Sequence, residues 1–127
     1  MDANALMLPV RNQFPLEAEV DRLLPGSRLA VPSSVLDEIR ELVHREVRGA
    51  RSAAELARKF PVLPNSGKGD AAIVDSAVRE RATVVTADRE LANRLRARGL
   101  SVLIPRDRHR LELRRGARTR SAPDTGA

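Results

Sequence analysis

The chain has 127 residues, with 23 Lys and Arg against 17 Asp and Glu for a formal charge of +6, no cysteine, and two Phe as its only aromatic residues. Such a length suits one domain. The missing thiols exclude disulfides, zinc fingers, iron–sulfur sites and cysteine nucleophiles, and the missing Tyr and Trp disfavour nucleic-acid recognition by base stacking. The positive balance favours phosphate-bearing partners held by their backbone, although much of it sits in the terminal "RDRHRLELRRGARTRSAPDTGA".

Taken in chain order, "LEAEVDRLLPG" (16–26) places Leu16, Val20, Leu23 and Leu24 at helical spacing and stops at Pro-Gly. "SRLAVP" (27–32) is expected to be a short buried strand. "SSVLDEIRELVHREVRG" (33–49) opens on serines suited to capping and repeats Val35, Ile39, Leu42, Val43 and Val47 on one face, which predicts a helix. "SAAELARKF" (52–60) is a shorter helix, and "PVLPNSGKG" (61–69) a turn-rich connection with room for a brief extended piece. Then follow a helix at 70–82, the β-branched strand "TVVT" (83–86), the helix "DRELANRLRARG" (88–99) closed by Gly99, the strand "SVLIP" (101–105) and an edge strand "RLEL" (110–113). From Arg114 the composition is that of a basic disordered tail, so a domain at 1–113 and a tail at 114–127 are expected. The apolar runs are shorter than the roughly 18 residues of a membrane span and no leader pattern opens the chain, so no membrane association and a soluble, cytoplasmic protein are expected.

Strands alternating with helices predict an α/β fold with right-handed βαβ units and a mostly parallel sheet between helix layers, where ligands bind at the carboxyl ends of the strands. Helical geometry then sorts the acids. With Val35 at zero and about 100° per residue, the apolar side chains of the 33–49 helix span about −20° to +120°, Glu38 borders them near −60°, and Asp37 lies near 200°. In the 70–82 helix Asp70 falls near 0° within the apolar arc while Asp75 lies near 140° and faces solvent. Asp88 directly follows the strand at 83–86, and Asp2 precedes an apolar stretch. Each has an ordinary alternative: a surface ion pair for Glu38, a first-turn or N-cap role for Asp70 and Asp88, a frayed terminus for Asp2. Together they supply one acid at each of four places along one strand-end rim. Converging carboxylates repel one another and raise their own pKa values. A divalent cation relieves that conflict, and hard oxygen ligands suit Mg²⁺ or Mn²⁺, which activate water and stabilise a leaving oxygen at a phosphodiester.

"DANALMLP" (2–9), "VPSSVLDEI" (31–39), "GKGDAAIV" (67–74) and "TVVTADRELANRLRARGLSVLIPRDRHRLEL" (83–113) resemble, in order, the motifs of the PIN domain family of metal-dependent nucleases. The likeness is greatest to small archaeal members related to rRNA-processing endonucleases. It implies a three-layer α/β/α sandwich with a central parallel sheet, and a Mg²⁺ or Mn²⁺ site made by Asp2, Glu38, Asp70 and Asp88, with Asn4 and Thr86 orienting ligands or water. An endoribonuclease acting on rRNA or tRNA is implied, with a VapC-type toxin, its antitoxin partner and a homodimer as alternatives within the family. A catalytically impaired PIN-like module that binds RNA or protein is the alternative outside it. Three departures stand out: only Met1 precedes Asp2, so the first strand is expected to be truncated; Ala71 follows Asp70 where many relatives carry a second acid; and the cysteine-rich modules of eukaryotic relatives are absent. Lys68, Arg106, Arg108 and Arg110 are candidate RNA contacts, with a flexible loop lysine and a solubilising basic segment as the ordinary readings. "GKGD" lacks the spacing of a phosphate-binding loop.

Overall fold

The computed structural model describes residues 1–117. Six helices alternate with five short strands: α1 (Ala3–Asn12), α2 (Leu16–Leu23), β1 (Val31–Pro32), α3 (Ser33–His44), α4 (Ala50–Ala57), β2 (Val62–Leu63), α5 (Gly69–Glu80), β3 (Val84–Val85), α6 (Arg89–Ala97), β4 (Val102–Pro105) and β5 (Leu111–Arg114). The α/β expectation holds, and two of the three strand pairings, β1 with β2 and β3 with β4, are parallel, with β5 closing the edge antiparallel to β4. Of the periodic apolar residues, Leu16, Val20, Val35 and Ile39 are buried while Leu23, Leu24, Leu42, Val43 and Val47 are half-buried; Leu6, Val31, Leu91, Leu95, Val102, Leu103 and Leu111 are also sealed from solvent. Each buried side chain contributes about 1.5–3 kcal/mol relative to exposure.

The sheet is divided. β1 and β2 form one ladder, β3, β4 and β5 another, and the first two residues of the chain lie between them. The terminal ammonium donates to Ala30 O at 3.2 Å, and the Asp2 amide donates to Val85 O at 3.1 Å. These two bonds tie both halves together. The chain then turns at once into α1, because the Asp2 carboxylate accepts from Ala5 N at 2.8 Å and caps the helix.

Ala3–Asn12, given no element above, form a ten-residue helix despite Pro9, whose missing N–H forfeits the bond to the Ala5 carbonyl in the middle of α1. Three local expectations are corrected. The strand expected at 27–32 is ordered as β only at Val31–Pro32. The helix from Ser33 stops at His44, where Arg45 and Glu46 close the chain back on Glu41 and Val43. Its serines do not cap it: Pro32 holds the N-cap position, and Ser33 and Ser34 turn instead to Asn65. At the other end, β5 runs to Arg114, and Arg115–Ala117 dock on the end of α6 through Arg96 Nε to Arg115 O at 2.9 Å and Ala117 N to Arg96 O at 2.8 Å. The rest of the expected tail, residues 118–127, lies outside the described residues.

Candidate functional site

The parallel pairings put the carboxyl ends of β3 and β4 on one rim, and that of β1 beside that of β2. The segments leaving β1, β2 and β3 carry Glu38, Asp70 and Asp88, and Asp2 lies beside β3 through its amide bond to Val85 O. Asp2 is the most constrained: it is only 4% exposed, its Oδ1 accepts from Ala5 N, and its Oδ2 accepts from the Thr86 hydroxyl. Thr86, fully buried just past β3, spends its one proton on Asp2 and accepts from Asp88 N at 2.9 Å. One hydroxyl therefore fixes the terminal acid against the acid of the β3–α6 turn.

Asp88 is half-buried and caps α6, its Oδ1 accepting from Glu90 N at 2.9 Å and Leu91 N at 3.2 Å. Its Oδ2 has no protein partner among the described residues, so the cap engages only one oxygen of the carboxylate. Glu38 projects from α3, exposed along its stem, and Asp70 sits half-buried in the first turn of α5 without making a capping bond. Both border a cavity of ≈ 700 Å³ with Ser34, Asp37, Glu41 and Lys68. Asp75 is exposed on the outer face of α5, and Asp37 pairs with Arg40 at 3.1 Å.

Electrostatics links the four in a chain. Burial pushes the Asp2 carboxyl above the usual carboxylate range; the bonds from Thr86 and Ala5 and the terminal ammonium oppose that rise, and Asp88 adds to it. Partial desolvation raises Glu38 as well, reinforced by Asp2 and then Asp70. Asp88 thus acts on Asp2, and Asp2 and Asp70 on Glu38. No three of these side chains, as they stand, are close enough to form a finished ion cage among the described residues. The donor chemistry nonetheless fits a hard divalent cation: the groups are all oxygen, neighbouring carboxylates add to the rise of Asp2 and Glu38, and no basic side chain offsets them within the set.

The remaining candidates separate. Asn4 is exposed on the first turn of α1 and its side chain bonds to nothing among the described residues. Lys68 is exposed at the N-terminus of α5, on the lip of the acidic cavity. Arg106, Arg108 and Arg110 sit in the β4–β5 hairpin, which Asp107 ties by accepting from His109 N at 2.8 Å and Arg110 N at 3.0 Å. Asn65 escaped the sequence reading. Its Oδ1 accepts from Ser34 N at 2.8 Å, its Nδ2 donates to Ser34 Oγ at 2.8 Å, and its amide donates to Ser33 Oγ at 3.0 Å. Asn65 thereby locks the start of α3, which carries Glu38, to the loop leading into α5, which carries Asp70. The only signal was Asn-Ser-Gly in a turn-rich segment, which marks a turn and not a clamp.

Comparison with known proteins gives two findings. A family model described as a PIN like domain matches residues 1–108. Ribonuclease VapC9 of Archaeoglobus fulgidus is 28% identical over 107 residues, covering 80% of this chain and 78% of that protein.

Proposed function

Because the chain belongs to the PIN-like domain family, we propose that it is a metal-dependent endoribonuclease that hydrolyses RNA phosphodiesters at the rim bearing Asp2, Glu38, Asp70 and Asp88. The observation that carries this reading is the coupled series of acids, anchored by the Asp2–Thr86–Asp88 contact. These four carboxylates would hold Mg²⁺ or Mn²⁺, which, when bound, supplies an acidified water and charge stabilisation at phosphorus. The chain's own residues do the positioning. Thr86 keeps Asp2 and Asp88 in a fixed relation, the α6 cap orients Asp88 so that Oδ2 stays available, and Asn65 aligns α3 with α5. Asn4, exposed on the rim side of α1, is left to orient water. Lys68 and the hairpin arginines Arg106, Arg108 and Arg110 contribute positive charge for the RNA backbone.

Within this reading, a VapC-type toxin is favoured over an rRNA-maturation enzyme by the similarity to Ribonuclease VapC9 of Archaeoglobus fulgidus. The toxin version carries an antitoxin and a homodimer with it. Co-expression with the product of a small adjacent gene separates the two: a toxin arrests growth alone and is relieved by that partner, and a maturation enzyme does neither. The enzymatic reading itself is tested by Mn²⁺-dependent cleavage of a structured RNA. Wild type is expected to cut and Asp88→Asn to lose at least about 100-fold in rate; equal cutting by both would remove the proposal, and an inert wild type that still binds RNA would support the binding module instead.

A further inference from the structure

Beside the acids lies a groove of ≈ 500 Å³ along one face of β4. Its floor is apolar, made by Leu8, Ala92, Val102 and Ile104, and its rims carry Arg89, Arg96, Arg106 and Arg114 against a single acid, Glu112. The volume is within the roughly 300–1,000 Å³ of clefts that hold small ligands. The groove opens at Ala87 and Arg89, the residues on either side of Asp88.

The four arginines are not equivalent. Arg96 Nε is spent on Arg115 O and Arg114 Nε on Glu112, both at the end far from the acids. Arg89 and Arg106, at the near end, have no side-chain partner among the described residues. Arg89 also occupies the first position of α6, where the helix dipole disfavours a cation. An anion in front of it reverses that penalty. The cavity near Glu38 and Asp70 offers one cation, Lys68, against Asp37, Glu38, Glu41 and Asp70. Of the two sides of the acids, the arginine-lined groove is the more positive.

The geometry points to a nucleotide subsite in this groove. It rests on the ribonuclease reading and deepens it: the nucleotide next to the scissile phosphate lays its base and ribose over Leu8, Ala92 and Ile104, and its phosphate meets Arg89 and Arg106. Asn93, the one uncharged polar side chain lining the groove, exposed on α6, carries both a donor and an acceptor and reads the base edge.

The test is fluorescence anisotropy of the full chain with short labelled oligouridylate, oligoadenylate and oligocytidylate, in EDTA and at low salt, so that no cleavage enters. Wild type is expected to bind, with unequal affinities for the three. Arg89→Gln/Arg106→Gln is expected to bind at least about ten-fold more weakly, with a log–log salt slope shallower by about 1.4, two phosphate contacts at roughly 0.7 each. Arg51→Gln/Arg58→Gln, the same loss of charge on α4, keeps wild-type affinity. Asn93→Ala retains binding but brings the three affinities to within about two-fold. Circular dichroism melts confirm that each variant folds. The subsite is overturned if wild type binds none of the oligonucleotides, if the two double variants weaken equally, or if labelled oligoglutamate binds as tightly as RNA and depends on the same arginines, which would assign the groove to an acidic peptide. Equal wild-type affinity for all three overturns the assignment of Asn93. Because binding is read without metal, loss of the nuclease reading through an active Asp88→Asn leaves this result distinct.

Discussion

Thr86 shows how much one hydroxyl can control. Its side chain is buried, it donates to Asp2 and accepts from Asp88 N. Thr86→Val keeps the shape and leaves a buried carboxylate oxygen and a backbone amide without partners. The expected cost is about 1–3 kcal/mol of stability, read as a lower urea midpoint at unchanged slope, together with about a ten-fold or greater loss of Mn²⁺ affinity; a variant that melts and binds Mn²⁺ like wild type would rule out this role. The carboxylates also set opposite pH dependences. Asp2 and Glu38 have raised pKa values in the fold, so the folded state binds more protons than the unfolded one. Metal-free stability should therefore increase as pH falls from neutral toward the ordinary carboxylate range. Glu19 acts in the reverse sense. Hydrogen bonds from Arg22 and from Leu111 N hold it down to about 2, so its contribution is full above the ordinary value and is lost as pH falls from 4.5 toward about 2. Urea unfolding across that range should show a maximum in the mildly acidic region, with Glu19→Gln flattening its acid limb. Continuous loss of stability from neutral pH downward would contradict the raised values.

At the scale of elements, helix faces were legible and their junctions were not. The angular positions of Glu38, Asp70, Asp37 and Asp75 followed from 3.6-residue periodicity, and the structure leaves Asp75 in solvent on the outer face of α5, whereas Asp37, though exposed, lines the same cavity as Glu38 and Asp70. Helix α1 contains Pro9, yet the Asp2 cap and burial of Ala5, Leu6 and Met7 outweigh the one forfeited bond. The Ser33–Ser34–Asn65 clamp was hidden because hydroxyls at a helix start look like caps, and only the tertiary fold reveals their partner 31 or 32 residues away. Asn65→Ala removes that clamp. It should destabilise the chain by about 1–3 kcal/mol and slow cleavage without changing RNA affinity in EDTA, which thermal melts and the anisotropy assay check. The docked segment after β5 gives a second test at this scale. A Cβ at Gly116 would stand 2.3 Å from the carbonyl carbon and oxygen of Gly99 and 2.6 Å from Leu100 N. This is backbone that cannot swing aside, so Gly116→Ala should detach residues 115–117 from α6 and lower the melting temperature.

Over the whole molecule, the position of Asp2 depends on the division of the sheet. Met1 and Asp2 span the gap between the β1–β2 and β3–β4–β5 ladders with one backbone bond to each side, and the Thr86 hydroxyl completes the attachment. Alternation of strands and helices made the fold class legible, because parallel strands need helical crossovers. The split was not legible, since two-residue strands carry too little pattern to fix pairing. The measurement that bears most directly on the central claim is a calorimetric Mn²⁺ titration of wild type and of Asp2→Asn, Glu38→Gln, Asp70→Asn and Asp88→Asn, with Asp75→Asn as the control. If the four acids form one site, each of the first four variants weakens Mn²⁺ binding by at least about ten-fold and the control binds as wild type does. Wild-type affinity in Asp2→Asn or Asp88→Asn, or an equal loss in Asp75→Asn, would contradict it.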